Sequence, residues 1–161
     1  MRQKVWHFLW PGLVLSFSLA FTNVYSGTLT GITVTPSNAK AGAFSVYTIT
    51  FQPSAAGNGT DTGVPADGQI KLTFPAGFSV AGVEIASNEG GLDGGYSSIT
   101  VSGQVVTLVR DSTGSALPPG TLATFKIASV GNPTVPGSGY TIRLETLTAT
   151  GTTIDGPDTS P

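Results

Sequence analysis

The acidic side chains that share loops are the residues best placed to do chemistry in this sequence. Asp61 and Asp67 lie in one Gly-rich stretch, Pro53 to Gly68 (PSAAGNGTDTGVPADG), and Glu89 and Asp93 lie in another, Ser87 to Tyr96 (SNEGGLDGGY). Oxygen-only ligation by Asp, Glu and backbone carbonyls is the preference of calcium. Two carboxyls at a fixed separation, one with a raised pKa, can instead cleave a glycosidic bond. Calcium is the better match, because Gly-rich loops are poor places to fix an acid pair. Neither loop carries the EF-hand or the nonapeptide calcium pattern. No cofactor is therefore expected, with calcium at these four acids as the alternative to plain solvated loop residues.

Other catalytic constellations are excluded by composition. The chain has one His and no Cys, and that His is His7 in the leader. Without His or Cys the remainder cannot build a Ser-His-Asp triad, a Cys-His pair or an ordinary zinc site. The expectation is that the protein is not an enzyme. Carbohydrate binding needs exposed aromatic platforms. Phe44, Tyr47, Phe51, Phe74, Phe78, Phe125 and Tyr140 all sit in strand-like patterns and read as core. Tyr96, beside Gly94-Gly95 at a loop end, is the one aromatic candidate for ligand contact. Asn58-Gly59-Thr60 is a formal glycosylation sequon.

The first residues set the compartment. Arg2 and Lys4 precede an apolar stretch from Val5 to Phe21, and Val24 and Ser26 stand at the −3 and −1 positions of a cut before Gly27. This is the pattern of a signal peptide over residues 1–26. Pro11-Gly12 interrupts the apolar run, which is also short for a span of ~20 residues. Cleavage is therefore expected rather than stable membrane insertion. The formal net charge of −2 loses two positive charges with Arg2 and Lys4, leaving −4. No basic cluster offers nucleic acid an electrostatic footprint. Without Cys, an exported chain has to hold its fold by its core alone.

The elements that must position these residues read as strands. Thr, Val, Ser and Ala dominate, Gly and Pro punctuate, and no long window has a 3.6-residue apolar period. Strands are expected at 28–35, 43–52, 69–74, 78–86, 97–101, 104–110, 122–130 and 139–148, with a short ninth near 152–154. Alternation puts Tyr47, Ile49 and Phe51 on one face, Ile70, Leu72 and Phe74 on another, and Tyr140, Ile142 and Leu144 on a third. Ser102-Gly103 reads as a hairpin turn. Seven to nine short strands with regular turn signals predict an all-β antiparallel sandwich over 27–154, with a closed barrel as the alternative. Residues 155–161 (DGPDTSP) read as a flexible tail.

Two segments carry a resemblance. One is Ile70-Lys71-Leu72-Thr73-Phe74-Pro75-Ala76-Gly77-Phe78. The other is Val130-Gly131-Asn132-Pro133, then Pro136-Gly137-Ser138-Gly139-Tyr140-Thr141-Ile142, then Thr146. Together they resemble immunoglobulin-like domains found, often in tandem, in prokaryotic surface and S-layer-type proteins. The likeness covers roughly residues 32–150 and implies an Ig-like fold and an extracellular or surface location. Its motifs are turn and core residues, so it implies no chemistry. The chain departs from that context by having a single copy and no evident C-terminal sorting signal, so wall attachment is not among the expectations.

The function expected from all of this is a structural or adhesive module acting through contacts with other surface proteins or copies of itself. Its exposed sheet edges suit addition of a strand. The Thr-rich segment carrying Thr28, Leu29, Thr30, Ile32 and Val34 is the expected donor strand for filament assembly. The alternative is a secreted glycan- or calcium-binding module using the 53–68 and 87–96 loops.

Overall fold

A computed structural model of the protein describes residues 26–55 and 63–161. Residues 1–25 of the expected signal peptide, Asp61 and the Asn58 sequon lie outside the described residues. Nine strands follow in order: β1 (Thr30–Pro36), β2 (Phe44–Gln52), β3 (Gln69–Thr73), β4 (Glu84–Gly90), β5 (Tyr96–Ser102), β6 (Val105–Arg110), β7 (Ala123–Gly131), β8 (Arg143–Leu147) and β9 (Thr153–Thr159). They form a four-stranded sheet ordered β1-β2-β7-β4 and a five-stranded sheet ordered β5-β6-β3-β8-β9. Every strand pairing is antiparallel. Three hairpins stay within a sheet (β1–β2, β5–β6 and β8–β9), and every other connection crosses between sheets. No helix among the described residues is long and apolar enough to cross a membrane.

The period-2 patterns become the core. Tyr47, Ile49 and Phe51 of β2 face inward, with Phe125 and Ile127 of β7 beside them and Ile70, Leu72 and Leu144 from the opposite sheet. Phe51 and Phe125 meet edge to face with centroids 6.3 Å apart. Tyr47, Phe74 and Phe78 form a second aromatic group near the other end, with Phe74 and Phe78 5.4 Å apart. Such offset pairs are favoured by the ring quadrupole. The β5–β6 turn is Gly103-Gln104, one residue later than expected, with Gly103 at a φ of 58° that side chains avoid.

Several expectations are corrected. The fourth strand lies at 84–90, not 78–86. Phe78, Val80 and Val83 are core residues of a crossover, attached to β7 by the Ser79–Gly131 bridge. Residues 155–161 are not a tail. β9 runs through them against β8, Asp155 and Ser160 are buried, and Ser160 N–H donates to Ile142 O at 2.9 Å. Phe44 points outward from β2 and is 66% exposed, and Tyr140 is 37% exposed. Both were expected in the core.

Candidate functional site

Among the described loop acids, Glu89 and Asp93 are held by the fold and no three ligating side chains converge. Glu89 sits in β4 beside Lys126 of β7, with Oε1 3.0 Å from Nζ, and accepts the Ser87 hydroxyl at 2.5 Å. The Ser87 bond and then Lys126 hold its carboxyl below the usual range. Asp93 accepts from Ser115 N–H at 2.7 Å and lies 3.4 Å from Arg110. The Ser115 bond first, with help from Arg110, lowers its pKa as well. Arg110 is buried, and its guanidinium also donates to the carbonyls of Val64, Pro65, Asp93 and Ser115. One fixed fork of donors thus staples three loop segments. Asp111 accepts from the Thr113 hydroxyl and from the amides of Thr113 and Gly95. The 87–96 stretch is therefore part strand and part latched turn. Asp67 is exposed on a turn after Pro65. No three metal-ligating side chains gather among the described residues.

Tyr96 is not an exposed platform. Its ring packs against the core from β5, and its hydroxyl donates to Asn88 Oδ1 at 2.8 Å. Burial pushes its pKa up to about 12, against the opposing charge of Arg110.

The proposed donor segment is seated in its own fold. Leu29 and Ile32 are core residues, Val34 packs against the core, and Thr30 pairs with Gln52 in the β1–β2 ladder. Thr28, just before Leu29, is exposed. Leu29 N–H donates to Asp158 Oδ2 of β9 at 2.7 Å. Donation to another molecule would withdraw Leu29 and Ile32 from the core they fill.

Two surfaces stand open among the described residues. The first is a cleft of about 320 Å³ at one end of the sandwich, where the 132–137 loop, Tyr140 and the start of β2 meet. Tyr47, Phe78 and Tyr140 supply rings, and Pro133 and Pro136 supply apolar faces. Phe78 and Tyr140 meet edge to face at 5.6 Å. Tyr47 donates its hydroxyl to Asn132 Oδ1 at 2.6 Å, so that polar pair is occupied. Burial raises the Tyr47 pKa. Val135, on the rim, is 68% exposed.

The second surface is the outer side of β5, which ends the five-stranded sheet. Edge strands are normally blunted by charge, proline or bulges. β4 carries Glu84 and Glu89 and two register shifts, β9 carries two Asp and Pro157, and β1 carries a register shift and ends on Pro36. β5 reads YSSITVS, with no charge and no proline. Beyond a single shift at its start, Ser98 to Ser102 run unbroken against Val109 to Val105. Ser98, Thr100, Val101 and Ser102 are exposed.

The order of the two sheets and the core between them identify the architecture. The fold is an immunoglobulin-like β-sandwich. Its backbone is similar to that of an uncharacterized protein from Nocardia farcinica described as having an immunoglobulin-like fold. The identity is 15%, the TM-score 0.50, and the match covers 76% of this chain and 80% of that one. More distant likenesses include a chitin-binding domain from Streptomyces coelicolor (17% identity, TM-score 0.37, 74% of this chain and 90% of that one). Another is BslA, a bacterial hydrophobin (20% identity, TM-score 0.41, 78% and 91%). No protein-family model matches the sequence, and no curated protein matches it.

The open surfaces of this Ig-like domain were legible only in part. The run Ser97 to Val101 reads as a strand, and its lack of charge is visible in sequence. That it ends a sheet depends on pairings made far along the chain. The cleft could have been suspected from the clustered prolines at 133 and 136 beside Tyr140.

Proposed function

We propose that the protein is an exported, non-catalytic module of the cell surface that works by contact with other proteins, copies of itself first among them. The unprotected β5 edge carries this reading. A strand laid beside Ser98 to Ser102 would extend the five-stranded sheet by backbone hydrogen bonds, with register set by the exposed side chains. Export rests on the basic and apolar leader and the small residues before Gly27. Pairing of β5 with β5 of a second copy is isologous and closes a dimer, whereas pairing of β5 with another edge propagates a filament.

The test is the oligomeric state of the exported protein, by light scattering and negative-stain electron microscopy. Assemblies are expected for the wild type, and monomers for the double substitution Ser98→Lys, Thr100→Lys, with an unchanged melting midpoint. Assemblies that survive both lysines, or a wild type that stays monomeric at every concentration, overturn the reading. A second reading, glycan binding, is favoured by the half-exposed Tyr140 ring over the cleft. Glycan-array binding that disappears in Tyr140→Ala would establish it instead.

A further inference from the structure

Asp155 is fully buried in β9. Its Oδ1 accepts the Ser54 hydroxyl at 2.5 Å and its Oδ2 accepts the Thr146 hydroxyl at 3.1 Å. Two hydroxyls bring no positive charge, and a carboxylate removed from water without a counter-charge is costly. Among the described residues no basic side chain forms an ion pair with Asp155. Residues 56–62 contain neither Lys nor Arg. The backbone of Gly27 lies against the carboxylate instead. Gly27 and Asp155 form a parallel bridge, with Gly27 N–H donating to Ile154 O at 2.8 Å and Gly156 N–H donating to Gly27 O at 2.9 Å. A side chain at position 27 would overlap Asp155 Oδ1 and Ser54 Oγ, so only glycine fits. Covalent geometry then puts the Gly27 nitrogen within roughly 5 Å of that oxygen. Ser26 is exposed and Gly27 is buried, so the expected cut falls between an exposed and a buried residue.

We infer that a leader peptidase hydrolyses the Ser26–Gly27 bond and that the α-ammonium made on Gly27 becomes the counter-charge of Asp155. One water is consumed. Ser26 departs with the new carboxylate, and the Gly27 nitrogen takes up a proton near neutral pH. The peptide nitrogen has one hydrogen and the ammonium has three. One keeps the bond to Ile154 O. The others turn to Asp155 Oδ1 and to Gly156 O, which accepts from the Ser26 hydroxyl at 2.6 Å in the uncut chain. Processing thereby completes the interior of the fold, and stability depends on where the leader is cut.

The test has two arms. The full precursor is expressed with export, and the mature protein is weighed by mass spectrometry. A chain beginning at Gly27 is expected, and a start at any other residue overturns the inference. Chains beginning at Gly27 and at Ser26 are then compared in urea, each with and without Asp155→Asn. The substitution is expected to lower the folding constant at least ~10-fold in the chain that begins at Gly27, as for loss of one partner of a buried pair. A much smaller loss is expected in the chain that begins at Ser26. Equal losses overturn the pairing. If Asp155→Asn folds in neither, Nα-acetylation of the Gly27 chain replaces it: a loss of similar size is expected, and none overturns the inference.

Discussion

Tyr47 and Asn132 tie three segments of the chain together. The phenol donates to Asn132 Oδ1 at 2.6 Å, and the Asn132 amide donates to the carbonyls of Asn38 and Lys40 at 2.7 and 2.8 Å. One side chain after β7 thereby fixes both β2 and the β1–β2 connection. It also shapes the wall of the aromatic cleft.

Asn132→Ala leaves the Tyr47 hydroxyl and the Asn38 carbonyl without their partner and the Lys40 carbonyl with the Ala43 N–H alone. It should destabilise the domain by about 2–4 kcal/mol, whereas Tyr47→Phe, which removes one bond, should cost about 1 kcal/mol. Urea unfolding of both variants checks the ordering.

Acid should weaken the domain below the ordinary carboxylate range. Burial opposes ionisation of Glu145, but bonds from Lys71 and the Thr153 hydroxyl outweigh it and lower its pKa. Asp93, Glu89 and Asp111, the last through its Thr113 bonds, are lowered too. A carboxyl whose pKa is depressed on folding contributes stability above its unfolded value, about 4. That contribution is lost as pH falls through the folded value. Melting midpoints should be flat between about pH 7 and 5 and fall below about pH 4. Glu145→Gln should be less stable at neutral pH and lose less on acidification.

Deleting residues 155–161 should unfold the domain. The deletion removes most of β9, the buried Asp155 and Ser160, and the Gly156 N–H bond that holds Gly27 O. Circular dichroism of the truncated chain should lose its cooperative melting transition. A frayed end would leave that transition intact.

Calcium should leave the melting midpoint unchanged. Glu89 and Asp93 already face Lys126 and Arg110. A midpoint that rises with added calcium and returns with chelator would restore the loop acids as a site.

Strands with alternating apolar residues were legible, because burial on one face imposes a period of two. β2, with Tyr47, Ile49 and Phe51, is such a case. β4 reads EIASNEG and has little alternation, so the more apolar Phe78 to Val83 drew the assignment. Those residues are indeed buried, but in a crossover. β9 reads TIDGPDT, a composition poor in strand formers, and becomes a strand through the ladder offered by β8. The loop acids were visible as a group, but their cations were not. Glu89 meets Lys126 only because β4 lies beside β7, and Asp93 meets Arg110 only through a folded-back loop.

The parallel bridge between Gly27 and Asp155 also has a mechanical meaning. Tension applied backward from Gly27 and forward from Ser160 runs along two strands pointing the same way. The load falls in shear on the Gly27–Ile154, Gly156–Gly27 and Leu29–Asp158 bonds. They must yield together rather than peel one by one, so a pull between the two ends meets its resistance at residues 27–29.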